Sequence, residues 1–511
     1  MSTTTTQRQQ PAKPFLLEPR RRVKVSVAST PEASAPVVGF GCFADQAPAK
    51  QLGLGADRLK AAGFLAEPGS VLTLARDDGP VLIAIGLGRS AEVDAARIRD
   101  AAAACAGAAS VQERLALSLD GLNGVAPEIA AQAAVEGALL ARYEYAGFGR
   151  QAKRKALEEI TLVTRPEQEA AVRDGAEQGR AYATATMLAR DLANTPHSHL
   201  TATQFGSLAE KLGEEHGFEV ELFDKEALQK LSCGGLLGVN AGSFEPPLMI
   251  KLTYRPKKSA GRLAIVGKGI MYDSGGISLK PNDNVHARMK NDMSGAAAVL
   301  AAMAELSELD CETTVTGYLM CTDNMPSATA QALGDVITTH GGRTVEVNNT
   351  DAEGRLVMCD ALALAAEEKH DAIIDIATLT GSVMRALGTD MAGLFGNDEA
   401  LIDQVKRAAA ATGELVWQLP LYRPYRQALD SDVATMRNAG PTGGAQPDGV
   451  IAALYLAEFV GDVPWAHVDI CGTAWNEKDQ LWRRAGCSGF GARLLIELVT
   501  NFRPTARRTK H

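Results

Sequence analysis

No stretch of this chain approaches the ~18 uninterrupted apolar residues that a membrane-spanning helix requires. Its opening residues, MSTTTTQRQQPAKP, hold no apolar segment of the kind a secretory signal needs. Neither a membrane protein nor a secreted one is therefore expected, and residues 1–21 read as a disordered tail. No CxxC pair occurs. The eight cysteines (Cys42, Cys105, Cys233, Cys311, Cys321, Cys359, Cys471 and Cys487) sit mostly in apolar runs, which speaks for reduced core thiols in a cytoplasmic protein and against a zinc framework. Histidine is scarce, at 8 of 511 residues. There is no HExxH, and the one close pair, His197 and His199, stands at a domain entry and reads as structural. Neither GxGxxG nor GxxxxGK[ST] is present, so redox and nucleotide chemistry lack their usual loop. The net charge of −9 provides no basic field for nucleic acid, and the basic clusters Arg20 to Arg22 and Arg503 to Lys510 read as solvated ends.

What is present is an ordinary globular composition, 46% hydrophobic and 22% charged, in a chain too long for one core. Residues 22–165 alternate short β-rich runs with Ala-rich helical stretches near 95–112 and 128–146, and carry no catalytic constellation. A connector helix is expected over 166–193, ending at Asn194-Thr195-Pro196. Residues 194–511 then form a second domain. Its expected strands are 218–223, 248–254, 262–268, 313–321, 344–347 and 372–376, and its helices 203–216, 294–309 and 353–368, the 294–309 helix packing through one apolar stripe. The fold class that follows is α/β: a small N-terminal α/β domain, a linking helix, and a larger C-terminal α/β domain whose central sheet is flanked by helices. Ligands in such folds lie at the carboxyl ends of the strands.

Polar residues gather at those ends in three clusters. The first is GKGIMYDSGGISLK, Gly267 to Lys280, where Lys268, Asp273 and Lys280 are expected in a Gly-rich loop that turns tightly around a site. The second, MKNDMSGAA, sets Asp292 just before a helix. The third, NTDAEGRL, sets Asp351, Glu353 and Arg355 at a helix entry. Alone, that triplet would pass for acids at the positive end of a helix, and a single aspartate for nothing in particular. Together, four carboxylates repel one another unless cations neutralise them. Two divalent ions would do so, and hard oxygen ligands suit Mg, Mn or Zn, commonly ~3.5–4 Å apart in hydrolases (a general figure, not one for this chain). At this point a phosphatase, an amidohydrolase and a peptidase all remain open.

These clusters, with the following DIATLTGS, resemble the leucine aminopeptidase (cytosol aminopeptidase) family over roughly residues 185–500. The resemblance implies hydrolysis of the N-terminal peptide bond of peptides with a free α-amine, a preference for Leu-like residues, and a metal-bridging hydroxide as nucleophile. It assigns Lys268, Asp273, Asp292 and Glu353 to a tighter metal, and Asp273, Asp351 and Glu353 to a more exchangeable one. Lys280 and Arg355 would be catalytic, the latter holding a bicarbonate. Met289, Asn349, Thr378 and Leu379 would line the substrate pocket. Two Mn or Zn ions per subunit, a homohexamer of stacked trimers and a cytoplasmic location are also implied. Some bacterial members bind DNA, a role the acidic balance disfavours here. The segment from Lys280 to Asp292 is one residue longer than the family's usual spacing, the surplus falling within Pro281 to Arg288. Met271-Tyr272 replaces the commoner Thr-Phe.

Overall fold

The N-terminal β-rich runs form a six-stranded sheet in a computed structural model that describes residues 22–30, 35–148, 152–441 and 446–504. The expected tail, 1–21, and the terminal residues from 505 onward lie outside the described residues. The strands are β1 (Lys24–Ala28), β2 (Val37–Cys42), β3 (Val71–Leu74), β4 (Val81–Gly86), β5 (Arg114–Ser118) and β6 (Glu159–Val163), in the order β1-β6-β5-β2-β4-β3. All pair in parallel except β3 with β4. β5 is absent from the sequence reading. A parallel strand covered on both faces shows no alternation, and RLALS stands beside Ala-rich helices that mask it. The helix Glu169–Asn194 leads on to the second domain.

The larger sheet has eight strands in the order β15-β14-β17-β13-β9-β10-β8-β7. These are β7 (Glu219–Phe223), β8 (Leu248–Tyr254), β9 (Gly261–Asp273), β10 (Thr313–Asn324), β13 (Ala372–Ala377), β14 (Ala392–Gly396), β15 (Val416–Gln418) and β17 (Trp465–Asp469). A small sheet of β11 (Val336–Thr338), β12 (Thr344–Glu346) and β16 (Met436–Arg437) stands apart. The central strands β17, β13, β9 and β10 are parallel, and β14 and β8 flank them antiparallel. Helices cover both faces. Ser294–Met303 and Ala492–Thr500 pack with the connector in one apolar core, and Glu353–Glu367 with Asp448–Ala457 in the other. Among the described residues no helix is long and apolar enough to cross a membrane.

Two expectations need correction. The helix expected over 294–309 stops at Met303, and all ten of its residues are buried rather than one stripe. Its sequence, SGAAAVLAAM, is small or apolar all round, as befits a helix enclosed on every side. The strand expected to end at Lys268 runs on to Asp273, so Lys268 and Asp273 lie in β9 and only Lys280 lies in the loop. The glycines divide accordingly. Gly267 lets the sheet approach the helix at 294–303, since a Cβ there would lie 2.8 Å from Ala296 Cα. Only Gly275 and Gly276, at φ +89° and +64°, make the turn that brings Lys280 back.

Candidate metal centre

Side chains alternate along a strand, so positions 268 and 273, five apart, should face opposite sides of the sheet. They do not, because β9 carries a bulge. Ile270 pairs with Thr322 and Tyr272 with Asp323, which leaves Met271 without a partner in β10. One inserted residue turns an odd separation into an even one and puts Asp273 on the same face as Lys268. The bulge falls on Met271-Tyr272, the pair noted above as a departure within the GKGIMYDSGGISLK cluster.

The other groups arrive from neighbouring strand ends. Asp292 follows a 3-10 turn over His286–Asn291 and stands two residues before the first residue of the buried helix, Ser294. Glu353 is the first residue of its helix. Asp351 is set by an Asx turn in which its own N–H donates to Asn349 Oδ1 at 2.9 Å. One oxygen each of Asp273, Asp292 and Glu353 lie within 4.8 Å of one another, and all three residues are buried. Lys268 Nζ is 2.9 Å from Asp292 Oδ2 and 2.7 Å from Glu353 Oε1, and donates to the Thr378 carbonyl at 2.9 Å. Lys280 Nζ is 2.7 Å from Asp273 Oδ2 and 2.6 Å from Asp351 Oδ1.

Electrostatics shows what this cluster needs. Desolvation pushes the carboxyls of Asp273 and Asp292 up and that of Asp351 up to about 6, each reinforced by its acidic neighbours. Burial works on Glu353 in the same sense, but the ammoniums of Lys268 and Lys280 outweigh it and hold Glu353 low. Burial also opposes the charge on both lysines, and the surrounding carboxylates overcome it and hold them protonated. Four carboxylates thus face two ammoniums. Glu353 Oε2 is buried without a donor, and the buried Asp292 Oδ2 has only the Lys268 ammonium, 2.9 Å away. A buried acceptor that finds no donor, beside a deficit of positive charge, fits divalent cations.

Residues 187–496 match the cytosol aminopeptidase family's catalytic domain, and residues 44–152 its N-terminal domain. The chain belongs to the cytosol aminopeptidase family. A probable cytosol aminopeptidase of Streptomyces avermitilis is 42% identical over 86% of this chain and 88% of its own length. One from Geobacter sp. is 37% identical over 94% and 99%. Among solved structures, the bottromycin maturation enzyme BotP in complex with Mn superposes with a TM-score of 0.83 at 38% identity, covering 91% of this chain and 99% of that one. Family membership makes this a metal-dependent aminopeptidase acting on peptides.

Within this aminopeptidase fold the remaining expected residues are placed as follows. Arg355 is buried in the first turn of its helix. It donates Nη1 to the Asn438 carbonyl at 3.0 Å, lies 3.4 Å from Asp448 through Nη2, and leaves Nε without a partner. Thr378 turns its hydroxyl onto Asp292 Oδ1 at 2.7 Å, so its side chain orients a carboxylate. Leu379 is half-buried against the core beneath the helix Glu353–Glu367, and Met289 is half-buried in the 3-10 turn. Asn349 orients Asp351.

Three residues that hold this site together went unnoticed in the sequence. Asn324 donates Nδ2 to Asp273 Oδ1 at 2.8 Å and to the Thr350 carbonyl at 3.0 Å. Asn438 donates to the Asn349 carbonyl at 2.7 Å and pins the NTDAEGRL turn. Asp469 clamps the turn after β13, accepting from Thr380 Oγ1 at 2.6 Å and Leu379 N at 3.2 Å. Only Asn324 had a signal, a polar Thr-Asp-Asn at the end of an apolar strand. Replacing Asn324 by alanine frees Asp273 to rotate. Mn affinity is expected to fall about 10- to 100-fold, as for other partners of metal ligands, with the fold intact. Calorimetric titration checks this, and unchanged affinity would show that Lys280 and the Gly275 N–H, which donates to Asp273 Oδ1 at 2.9 Å, suffice to hold Asp273.

Proposed function

We propose that the chain removes the N-terminal residue from peptides bearing a free α-amine, with two divalent cations, Mn or Zn, held by Lys268, Asp273, Asp292, Asp351 and Glu353. The observation that carries this reading is the convergence of four carboxylates on two ammoniums, with Glu353 Oε2 left without a donor. Lys268, Asp273, Asp292 and Glu353 would form one position, and Asp273, Asp351 and Glu353 the other. The chemistry such cations supply when bound is Lewis-acid activation of water and of the scissile carbonyl.

The chain's own residues do the rest. Lys268 must act as a neutral ligand, and an adjacent dication together with burial favours that form. Lys280 stands in the loop with 17% of its side chain exposed. Its ammonium is poised to donate to the carbonyl oxygen as negative charge develops there. Arg355 is the residue proposed to hold a bicarbonate, whose chemistry is that of a general base, and its unused Nε is a donor available for it. Met289, Asn349, Thr378 and Leu379 are proposed to border the pocket for the first side chain, with a preference for Leu-like residues. A cytoplasmic homohexamer completes the reading, by analogy with the family.

The free amine is the discriminating feature. Leucyl peptides are expected to be cleaved whether or not their C-terminus is amidated, whereas N-acetylated ones should be poor substrates. Mass spectrometry of a matched peptide set checks this, and equal cleavage of acetylated and free peptides would make the enzyme an endopeptidase.

A further inference from the structure

Away from the metal centre, charged side chains are buried at the junction between the two domains. Arg99, Arg190 and Arg493 are 2%, 0% and 1% exposed, against 0% and 3% for Glu136 and Glu414. Glu136 Oε2 accepts from Arg99 Nε at 2.9 Å and from Arg493 Nη1 at 2.8 Å. Glu414 Oε1 lies 3.4 Å from Arg493 Nη2, and its other oxygen accepts the backbone N–H groups of Gly491 and Leu494 at 3.1 and 2.9 Å. Both carboxylates are therefore taken by Arg99 and Arg493.

Arg190, on the connector helix, makes no ion pair with a carboxylate of the described residues. It donates Nε to the Ser488 carbonyl at 2.8 Å and Nη2 to the Trp482 carbonyl at 3.2 Å, and its guanidinium lies 5.2 Å from the Tyr143 ring centroid. Nη1 is buried and donates to nothing. The adjacent acid, Asp191, accepts the Tyr143 hydroxyl at 2.9 Å instead. Burial pulls the Arg190 guanidinium down to about 10, which still leaves it charged at neutral pH. Buried charges in proteins are paired as a rule, because desolvation of a lone ion is not recovered by carbonyl dipoles alone.

Beside this unpaired guanidinium lies a crevice of about 40 Å³ whose lining includes Arg190, Arg493, Arg483, Glu414, Asp390 and Trp482. None of these belongs to the metal cluster. We propose that the crevice is a binding site for a small monovalent anion, of halide or short-carboxylate size, held by Arg190. Glu414 and Asp390 do not forbid this, since Arg493 and two backbone donors already offset the first and Arg483, 2.8 Å away, offsets the second. An anion here joins three parts of the molecule: the connector helix through Arg190, the C-terminal helix through Arg493, and the segment around Trp482. The indole N–H of Trp482 reaches Asp100 of the N-terminal domain at 2.9 Å. Binding should therefore stiffen the domain junction.

The test is thermal unfolding of the full chain at fixed ionic strength, with sodium bromide or sodium acetate replacing sodium gluconate, whose anion is too large for the crevice. Bromide is expected to raise the wild-type midpoint saturably, by about 2 °C or more. The order of wild type and Arg190→Met should also reverse. In gluconate the variant is at least as stable, because the lone buried charge is gone, and in bromide the wild type is the more stable. Acetate matching bromide assigns short carboxylates to the site, and bromide acting alone restricts it to halides. A salt effect that does not saturate, or an equal loss of stability by Arg190→Met in both buffers, overturns the proposal. If the variant does not fold, wild-type crystals soaked in bromide decide. An anomalous peak in contact with Arg190 Nη1 supports the site, and bromide bound only at the outer surface sinks it.

Discussion

Exhaustive chelation is expected to abolish peptide hydrolysis completely, and Mn or Zn to restore it. Asp273, Asp292 and Glu353 are nearly sealed from water, at 2%, 4% and 2% exposed, and only two ammoniums face them. In metal-depleted protein, protons must take over part of the neutralisation. An isolated aspartate ionises near ~3.9, whereas Asp351 in the folded chain is pushed up to about 6, with Asp273 and Asp292 also raised. Between those values the folded chain binds more protons than the unfolded one, so rising pH favours unfolding. Metal-depleted protein should therefore lose stability as pH climbs from about 4 through 6, and metal should remove that loss. Denaturation across this range, with and without Mn, checks the sign. Proton release on Mn binding at pH 6, read from the buffer dependence of the binding enthalpy, checks the cause. Full activity with metal verified absent would end the two-metal reading.

Replacing Lys280 by alanine is expected to lower kcat by about ten- to a thousandfold, roughly 1.4–4 kcal/mol of lost transition-state stabilisation, while metal content stays at the wild-type level. The expectation rests on where Lys280 stands. Lys268 is wedged between Asp292, Glu353 and the Thr378 carbonyl and is 2% exposed, so it has nowhere else to go. Lys280 reaches Asp273 and Asp351 from the loop after Gly276 and remains partly open to solvent. It can exchange a carboxylate for a developing oxyanion without dismantling the cluster. Arg355→Ala should reduce kcat similarly, and added bicarbonate should help it less than it helps the wild type. Elemental analysis beside steady-state kinetics separates the roles. Loss of bound metal in the Lys280 or Arg355 variant would make that residue part of the cation site.

The composition of the site was legible in the chain itself. Carboxylates at four positions at or beyond strand ends, glycines where backbone must turn or approach closely, and a near absence of histidine are local properties, readable because each cluster lies within about a dozen residues. The alternation of strands and helices likewise announced an α/β fold of two domains, since hydrophobic period is a local quantity. What only tertiary structure decided is how distant segments meet. That Lys268 and Asp273 share a face depends on the unpaired Met271, and a bulge exists only relative to a partner strand. That Asp273 is held by Asn324, Asp292 by Thr378, and the NTDAEGRL turn by Asn438 depends on contacts 51, 86 and 89 residues apart along the chain. The charge left over on Arg190 is of the same kind. An arginine in a helix is unremarkable as sequence, and its lack of a carboxylate partner is a fact about everything packed around it.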